Sequence, residues 1–208
     1  WYPAPLGAPN LHDFIASRKK EGEHGQKFRY MSPTTDLVGW VIEAASGMPY
    51  AEALSKFIWS KIGSEAPGHI TVDRQGSPRA AGGLSVIPRD LVRFGMMIRD
   101  SGKFNGQQII PRKWVEATLD VSDQLKANMA ANSNYQEETW SAYHNMWWIL
   151  DETIGEYCAV GIHGQIIYIN RKADTVMTWF SSQPVAGAAR NLNFRAKLQA
   201  ARELARTL

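Results

Sequence analysis

Near residue 143 of this 208-residue chain the spacing of apolar residues changes from three-and-four to two, and the helical spacing returns only at about residue 188. Upstream, Leu37, Trp40, Val41, Ala44 and Ala45 recur at helical spacing behind Tyr30-Met31-Ser32-Pro33. Thr34 or Thr35 can cap this helix, Asp36 stands in its first turn where the dipole favours an anion, and Gly47 stops it. A second helix is predicted over 49–62, with Ala53, Leu54, Phe57, Ile58 and Lys61 on one face and Gly63 as its stop. Residues 64–85 are rich in Gly, Pro and Ser and read as a surface excursion that re-enters the core at Leu84 to Ile87. Pro88 opens a helix with Leu91, Phe94, Gly95 and Ile98 inward and Gly102 at its close. Asn105-Gly106 marks a turn, and Pro111 starts a short helix through Trp114, Val115 and Leu119.

Downstream, 143–150, 157–162, Gln165–Asn170 and 175–181 are β-branched and aromatic runs separated by short polar turns, the pattern of an antiparallel meander. Residues 188–206 read as an amphipathic helix through Leu192, Arg195, Leu198, Ala201 and Leu204. The expected fold class is α+β: an antiparallel sheet from the C-terminal half with a C-terminal helix packed on it, plus a mainly helical region. One domain over 1–208 is expected, mainly helical over 25–130 and strands plus helix over 140–208, incomplete at its N-terminus.

Several function classes drop out on composition. At 44% hydrophobic and 21% charged residues the chain can bury a core, yet no run reaches the roughly 18 apolar residues of a membrane-spanning helix. The net charge of +3 is scattered, apart from Arg18, Lys19, Lys20 and the last helix, and lacks the stripe that nucleic-acid binding needs. Cys158 is the only cysteine, so no intrachain disulfide forms, and beside Ala159 and Val160 it reads as a small buried apolar residue. The five histidines, at 12, 24, 69, 144 and 163, show no metal-ligand spacing, so no metal is expected. The opening WYPAPLGAPNLHDF has neither a basic nor an apolar leader region nor a starting Met, and reads as a cut end.

Three features can carry chemistry, each with a plainer reading beside it. Tyr30 and Ser32 are two apart before a helix, so both can face one cleft while Met31 faces the core; the alternative is a buried structural tyrosine with a capping serine. Gly161-Ile162-His163-Gly164-Gln165 lies between two predicted strands, where glycines allow close backbone approach and edge N–H groups can hold an oxyanion; the alternative is an ordinary hairpin turn. The tryptophans Trp40, Trp59, Trp114, Trp140, Trp147, Trp148 and Trp179 can line a groove, but are assigned mainly to the core, with adjacent Trp147 and Trp148 on opposite faces of a strand.

The runs FRYMSPTTDLVGWVIEAASGMPYAEALSKFIWSKIG, RAAGGLSVIPRDLVRFG with NGQQIIP behind it, and NMWWI followed by GIHGQIIYIN resemble the serine-reactive β-lactamase and penicillin-binding superfamily. Within it, the chain is most similar to the class C-like branch that holds 6-aminohexanoate-dimer hydrolases and related esterases. That family uses a Ser-x-x-Lys motif, a Tyr-x-Asn or Tyr-x-Ser motif, and Lys-Thr-Gly or a His/Gly substitute on an edge strand. The resemblance gives Tyr30 and Ser32 the second motif and Ile162, His163, Gly164 and Gln165 the third, with the N–H of Gln165 or Ile166 as oxyanion donor. Ser17-Arg18-Lys19-Lys20 fits the first motif literally but lies only 13 residues before Tyr30 (30 minus 17) in a charged stretch, so it reads as coincidence.

The resemblance therefore implies a bacterial serine hydrolase that cleaves an amide or ester of a small molecule through an acyl-enzyme, with no metal or organic cofactor. Tyr30 acts in proton transfer, and Ser32 and His163 orient the substrate or leaving group. It places the nucleophile, its lysine and further N-terminal strands outside these residues, and leans toward a cytoplasmic location. Substrate identity and oligomeric state stay open. The competing reading is a catalytically inactive binding protein on the same scaffold.

Overall fold

The structure is a computed structural model that describes residues 10–135, 140–187 and 192–207. The chain divides into two compact units, residues 1–60 with 66–86 and residues 61–65 with 87–208.

In the first unit, helix α1 (Leu11–Ala16) is capped by the Asn10 side chain, which accepts from the Asp13 N–H. Its Leu11 N–H donates to Asp73 Oδ2 at 2.8 Å, which ties the helix to the glycine-rich excursion. Helix α2 (Ser32–Ser46) starts from extended Met31 with Pro33 in its first turn, so neither Thr34 nor Thr35 is the cap. Asp36 is not an exposed partner of the helix dipole either. It is buried, accepts from the Ala81 N–H at 2.8 Å and pairs with Arg79 at 3.3 Å.

That anchoring turns α2 over. The expected inward face of Leu37, Trp40, Val41, Ala44 and Ala45 is exposed, Val41 by 57%, while Asp36 and Gly39 are buried and Glu43 and Ser46 half-buried. Two physical terms outweigh the apolar periodicity. A buried carboxylate must keep its donors, and a Cβ on residue 39 would stand 2.6 Å from the Ala80 Cβ, an approach only glycine allows. Trp40 is covered on one side by His12, stacked at 4.1 Å with the rings 6° apart.

The second predicted helix begins as α3 (Tyr50–Leu54), joined to α2 by the Tyr50 N–H donating to Glu43 Oε1 at 2.9 Å. It then widens into a π-turn over Ser55–Trp59, closed by the Ser60 N–H on the Ser55 carbonyl at 3.0 Å. One extra residue per turn advances the inward face. Phe57 and Lys61 are therefore exposed, whereas Trp59 and Ile62 are buried. Strands β1 (His69–Ile70) and β2 (Leu84–Ser85) pair antiparallel. Leu84 and Ile87 remain exposed rather than re-entering the core, because so short a ladder stands at the surface.

The second unit follows the sequence reading more closely. Helix α4 (Pro88–Arg99) starts at Pro88, and its chain turns at Gly102, whose N–H reaches the Met97 carbonyl at 2.8 Å. Gly95, Met97 and Ile98 are buried; so is Asp90, which accepts from the Glu65 N–H at 2.9 Å and from Arg93 at 2.6 Å. A hairpin of β3 (Lys103–Phe104) and β4 (Gln107–Gln108) turns on Asn105 and Gly106, both at positive φ. Helix α5 (Arg112–Ala117) follows Pro111, burying Val115 and leaving Trp114 exposed. Helix α6 (Asp123–Ala130), capped by Ser122, was not apparent in the apolar spacing.

The main sheet has five antiparallel strands in chain order: β5 (Ala142–His144), β6 (Trp147–Asp151), β7 (Glu156–Gly161), β8 (Gln165–Asn170) and β9 (Thr175–Trp179). The run 143–150, expected as one strand, is a hairpin instead, because Asn145 and Met146 both take positive φ and reverse the chain. Alternation along the strands sets two faces. Val176 and Ile167 meet α4 at Gly95, while Glu156, Tyr168 and Asn170 face helix α7 (Leu192–Thr207).

Helix α7 buries Phe194, Leu198, Ala201 and Ala205, so its inward face is offset from the expected one, and Arg195 and Leu204 are exposed. Its offset follows from Arg202, which reaches across to the buried Glu156. Residues 188–191 of the expected helix, and the Leu192 side chain, lie outside the described residues. Trp147 meets Tyr157 edge-on at 5.2 Å, whereas Trp148 sits within 4.7 to 5.3 Å of Tyr143, Trp140 and Tyr135. The two tryptophans do take opposite faces. Trp59 and Trp148 are buried, Trp140, Trp147 and Trp179 half-buried, and Trp40 and Trp114 exposed, so the core holds only part of the set.

Candidate active site

Extended Met31 sets Tyr30 and Ser32 at the mouth of α2. Tyr30 is 43% exposed, which excludes a fully buried structural tyrosine, and Met31 is exposed rather than facing the core. Ser32 is half-buried and is the first residue of the helix; Met31 occupies the capping position, so Ser32 is not a capping serine. Partial burial pushes the Tyr30 phenol above its ordinary value of 10.0, away from the phenolate that a proton-accepting tyrosine requires. A cation brought beside it would reverse that direction.

The Ser17 and Lys20 side chains are not joined. Ser17 Oγ donates to the Phe14 carbonyl at 2.7 Å and accepts from Arg18, and Lys20 pairs with Glu23 at 2.7 Å on the surface. That lysine is exposed and turned to a carboxylate rather than to the serine, as a coincidental match would have it.

The other motif occupies the corner between β7 and β8. β7 ends at Gly161, Ile162–Gly164 form a single 3-10 turn, and β8 begins at Gln165. His163 lies in the left-handed region at φ 59°, ψ 18°, followed by Gly164 at φ 86°. Gly161 and Gln165 pair across this three-residue connection, so the corner is a tight hairpin; within it Gly164 is buried, and a Cβ there would stand 2.8 Å from the Gln183 side-chain carbon. Ile162 is exposed, and His163 and Gln165 are half-buried.

β8 is not an edge strand. It is fourth of five, and Ile166 is paired on one side with Val160 and on the other with Trp179, where strand pairing claims the backbone groups. Of the two expected oxyanion donors, Gln165 is the better placed, at the end of the ladder opposite Gly161.

Ser181, Gln183 and Ala186 also belong to this corner, and nothing in the local sequence announced them. His163 donates from its backbone N–H to the Ala186 carbonyl and accepts at its own carbonyl from the Gln183 N–H, both at 3.2 Å. Its Nδ1 lies 2.6 Å from the Gln183 carbonyl oxygen. The Gln165 side chain bonds both backbone groups of Ser181, accepting from its N–H at 3.0 Å and donating to its carbonyl. These partners are 16 to 23 positions away (186 minus 163 for the farthest), beyond the reach of any periodicity.

Tyr30 and Ser32 thus stand together in the first unit, and Ile162, His163, Gly164 and Gln165 together in the second. Among the described residues no three His, Cys, Asp or Glu side chains gather as metal ligands, and no helix is long and apolar enough to cross a membrane.

The sequence profile described as "Beta-lactamase" matches residues 2–202. The chain belongs to the beta-lactamase family. It is 33% identical over 186 residues to the 6-aminohexanoate-dimer hydrolase of Paenarthrobacter ureafaciens, a match that takes in 88% of this chain and 46% of that protein. A solved Bacillus anthracis protein, assigned as a 6-aminohexanoate-dimer hydrolase, superposes with a TM-score of 0.81 at 28% identity, over 94% of this chain and 48% of its own. A Bacteroides dorei protein assigned as a beta-lactamase shares the fold at a TM-score of 0.73 and 18% identity, over 99% and 68% of the two chains. The chain spans about half the length of the first two relatives.

Proposed function

We propose that this chain forms part of a serine hydrolase that cleaves an amide or ester of a small molecule, of the kind acted on by 6-aminohexanoate-dimer hydrolases, through an acyl-enzyme. The nucleophilic serine and its lysine come from polypeptide outside these 208 residues. The serine oxygen forms a bond to the substrate carbonyl carbon, and its proton passes by way of the lysine and Tyr30 to the leaving amine or alcohol as the original bond breaks. Water then cleaves the ester and restores the serine. A lysine beside Tyr30 supplies the cation that its phenol needs, Ser32 and His163 orient the substrate, and a backbone N–H at Gln165 holds the oxyanion.

The observation that carries this reading is the His163–Gly164 corner. A non-glycine residue in a left-handed conformation, ahead of a buried glycine, is a costly arrangement that persists where surrounding structure enforces it, and such positions cluster at functional sites. The test is the intact mass of the purified protein before and after a fluorophosphonate. Uptake of the label by a second polypeptide, or by a chain heavier than 23.3 kDa, is expected. A single unlabelled 23.3 kDa species that binds an amide oligomer would favour the inactive binding protein instead. In the active protein Tyr30→Phe should lower turnover by about 10²–10⁴-fold, the usual worth of a positioned proton-transfer group. Undiminished turnover would remove Tyr30 from the mechanism.

A further inference from the structure

The segment that leaves β9 folds back over the β7–β8 corner and makes three bonds to His163. We infer that residues 181–186 act as a strap that holds His163 in its Nδ1–H tautomer, so that Nε2 is offered to the substrate as a hydrogen-bond acceptor, and that Gln165 is the positioning residue that sets the strap. The role toward substrate rests on the hydrolase reading above; the tautomer does not.

The argument starts from the Gln183 carbonyl, 2.6 Å from His163 Nδ1. A carbonyl oxygen only accepts, so the proton of that bond belongs to Nδ1, and a neutral imidazole then has a bare Nε2. The backbone of the same residue is also held on both sides, by the Ala186 carbonyl and by the Gln183 N–H, in a left-handed conformation; this fixes where the side chain leaves the backbone, and the Nδ1 bond then sets the ring. The strap is itself held at its root. Gln165 fills both backbone groups of Ser181 with one side chain, and Lys197 of α7 donates to Ser181 Oγ at 3.3 Å. Farther along, Gln183 packs over Gly164, where any larger residue would push it off.

The chemistry this offers differs from the lysine form of the motif. A lysine ammonium supplies donors only, whereas neutral His163 in this tautomer supplies an acceptor. The group it recognises is an N–H or O–H of the substrate, such as an amide N–H or a leaving amine or alcohol, rather than a carboxylate.

The experiment is nitrogen NMR of the 208-residue chain labelled with ¹⁵N-histidine, at about pH 8, above the ordinary imidazole range, with His163→Asn identifying the resonances. A protonated Nδ1 and a bare Nε2 are expected at His163. An Nε2–H tautomer, or averaged shifts, would overturn the inference. Gln165→Leu should convert the single tautomer into a mixture while the circular dichroism stays native; an unchanged tautomer in the folded variant would remove Gln165 from its positioning role. If that variant does not fold, Gln165→Glu keeps the acceptor for the Ser181 N–H, loses the donor to its carbonyl, and is read in the same way. No substrate enters the measurement. An unlabelled fluorophosphonate assay therefore leaves the tautomer standing, and the wrong tautomer leaves the hydrolase reading intact.

Discussion

Replacing Arg202 with methionine should cost the second unit about 3 kcal/mol of stability, the lower end of the range for stranding one member of a buried ion pair. The partner left behind is Glu156, 2% exposed at the start of β7. Arg202 meets it with two bonds of 2.9 Å, one to each carboxylate oxygen, and Tyr168 adds a third at 2.7 Å. Methionine keeps most of the apolar stem but supplies no donor, so a carboxylate is left buried with a single phenol partner. The lower end applies because the arginine side chain is 26% exposed and water can reach the vacated position.

In equilibrium terms the loss is about 150-fold, at about 1.4 kcal/mol per decade. For a chain of this size each kcal/mol moves the thermal midpoint by about 2–4 °C, so a drop of about 6–12 °C is expected by circular dichroism. The double variant Glu156→Gln with Arg202→Met should recover at least about half of that loss, because a neutral amide needs no counter-charge. A single-variant loss below about 1 kcal/mol, or a double variant no better than the single, would refute the view that a buried charge pair fastens α7 to the sheet.

Burial alone would raise the Asp73 carboxyl, but the Leu11, Ser77 and Gln75 backbone N–H groups outweigh it and hold it below its ordinary value. Its stabilising contribution should therefore be complete above about pH 4, the unfolded value, and vanish as pH falls through the lower folded one. Asp73→Asn should narrow toward wild type in acid-dependent thermal midpoints, and a constant gap across that window would contradict this. Cys158 is fully buried, and burial drives its thiol far above the ordinary range. It should resist DTNB until the chain unfolds, and prompt labelling of folded protein would be the contrary result. Gly164→Ala combines a left-handed backbone with a Cβ 2.8 Å from Gln183, so a loss of about 1–2 kcal/mol in urea is expected, with a neutral outcome counting against the strap.

What was legible tracked the range of the interactions. Pro88 and Gly102 bound α4 where expected, Asn105-Gly106 turns its hairpin, and β8 runs Gln165–Asn170 as read, since each is decided by residues a few positions apart. The hairpin at Asn145–Met146 was missed because a left-handed Met leaves no compositional mark, and α6 because Leu125, Ala127, Met129 and Ala130 do not line one helical face. The candidate residues Tyr30, Ser32 and Ile162 to Gln165 could be named from motif order. That β8 is interior to the sheet, and that Ser181, Gln183 and Ala186 clamp His163, could not.

By itself the sequence determined that this chain is an α+β member of its family, with helices first and an antiparallel meander after, because periodicity and turn chemistry are local properties. Only the tertiary structure decided which way its helices face and how the corner between β7 and β8 is held. Helix α2 turns its apolar side outward because Asp36 must find Ala81 and Arg79 and Gly39 must clear Ala80, some 40 residues along. His163 takes one tautomer because a carbonyl 20 residues away lies against its ring. A hydrogen bond specifies a partner by distance and direction, and neither exists until the chain has folded.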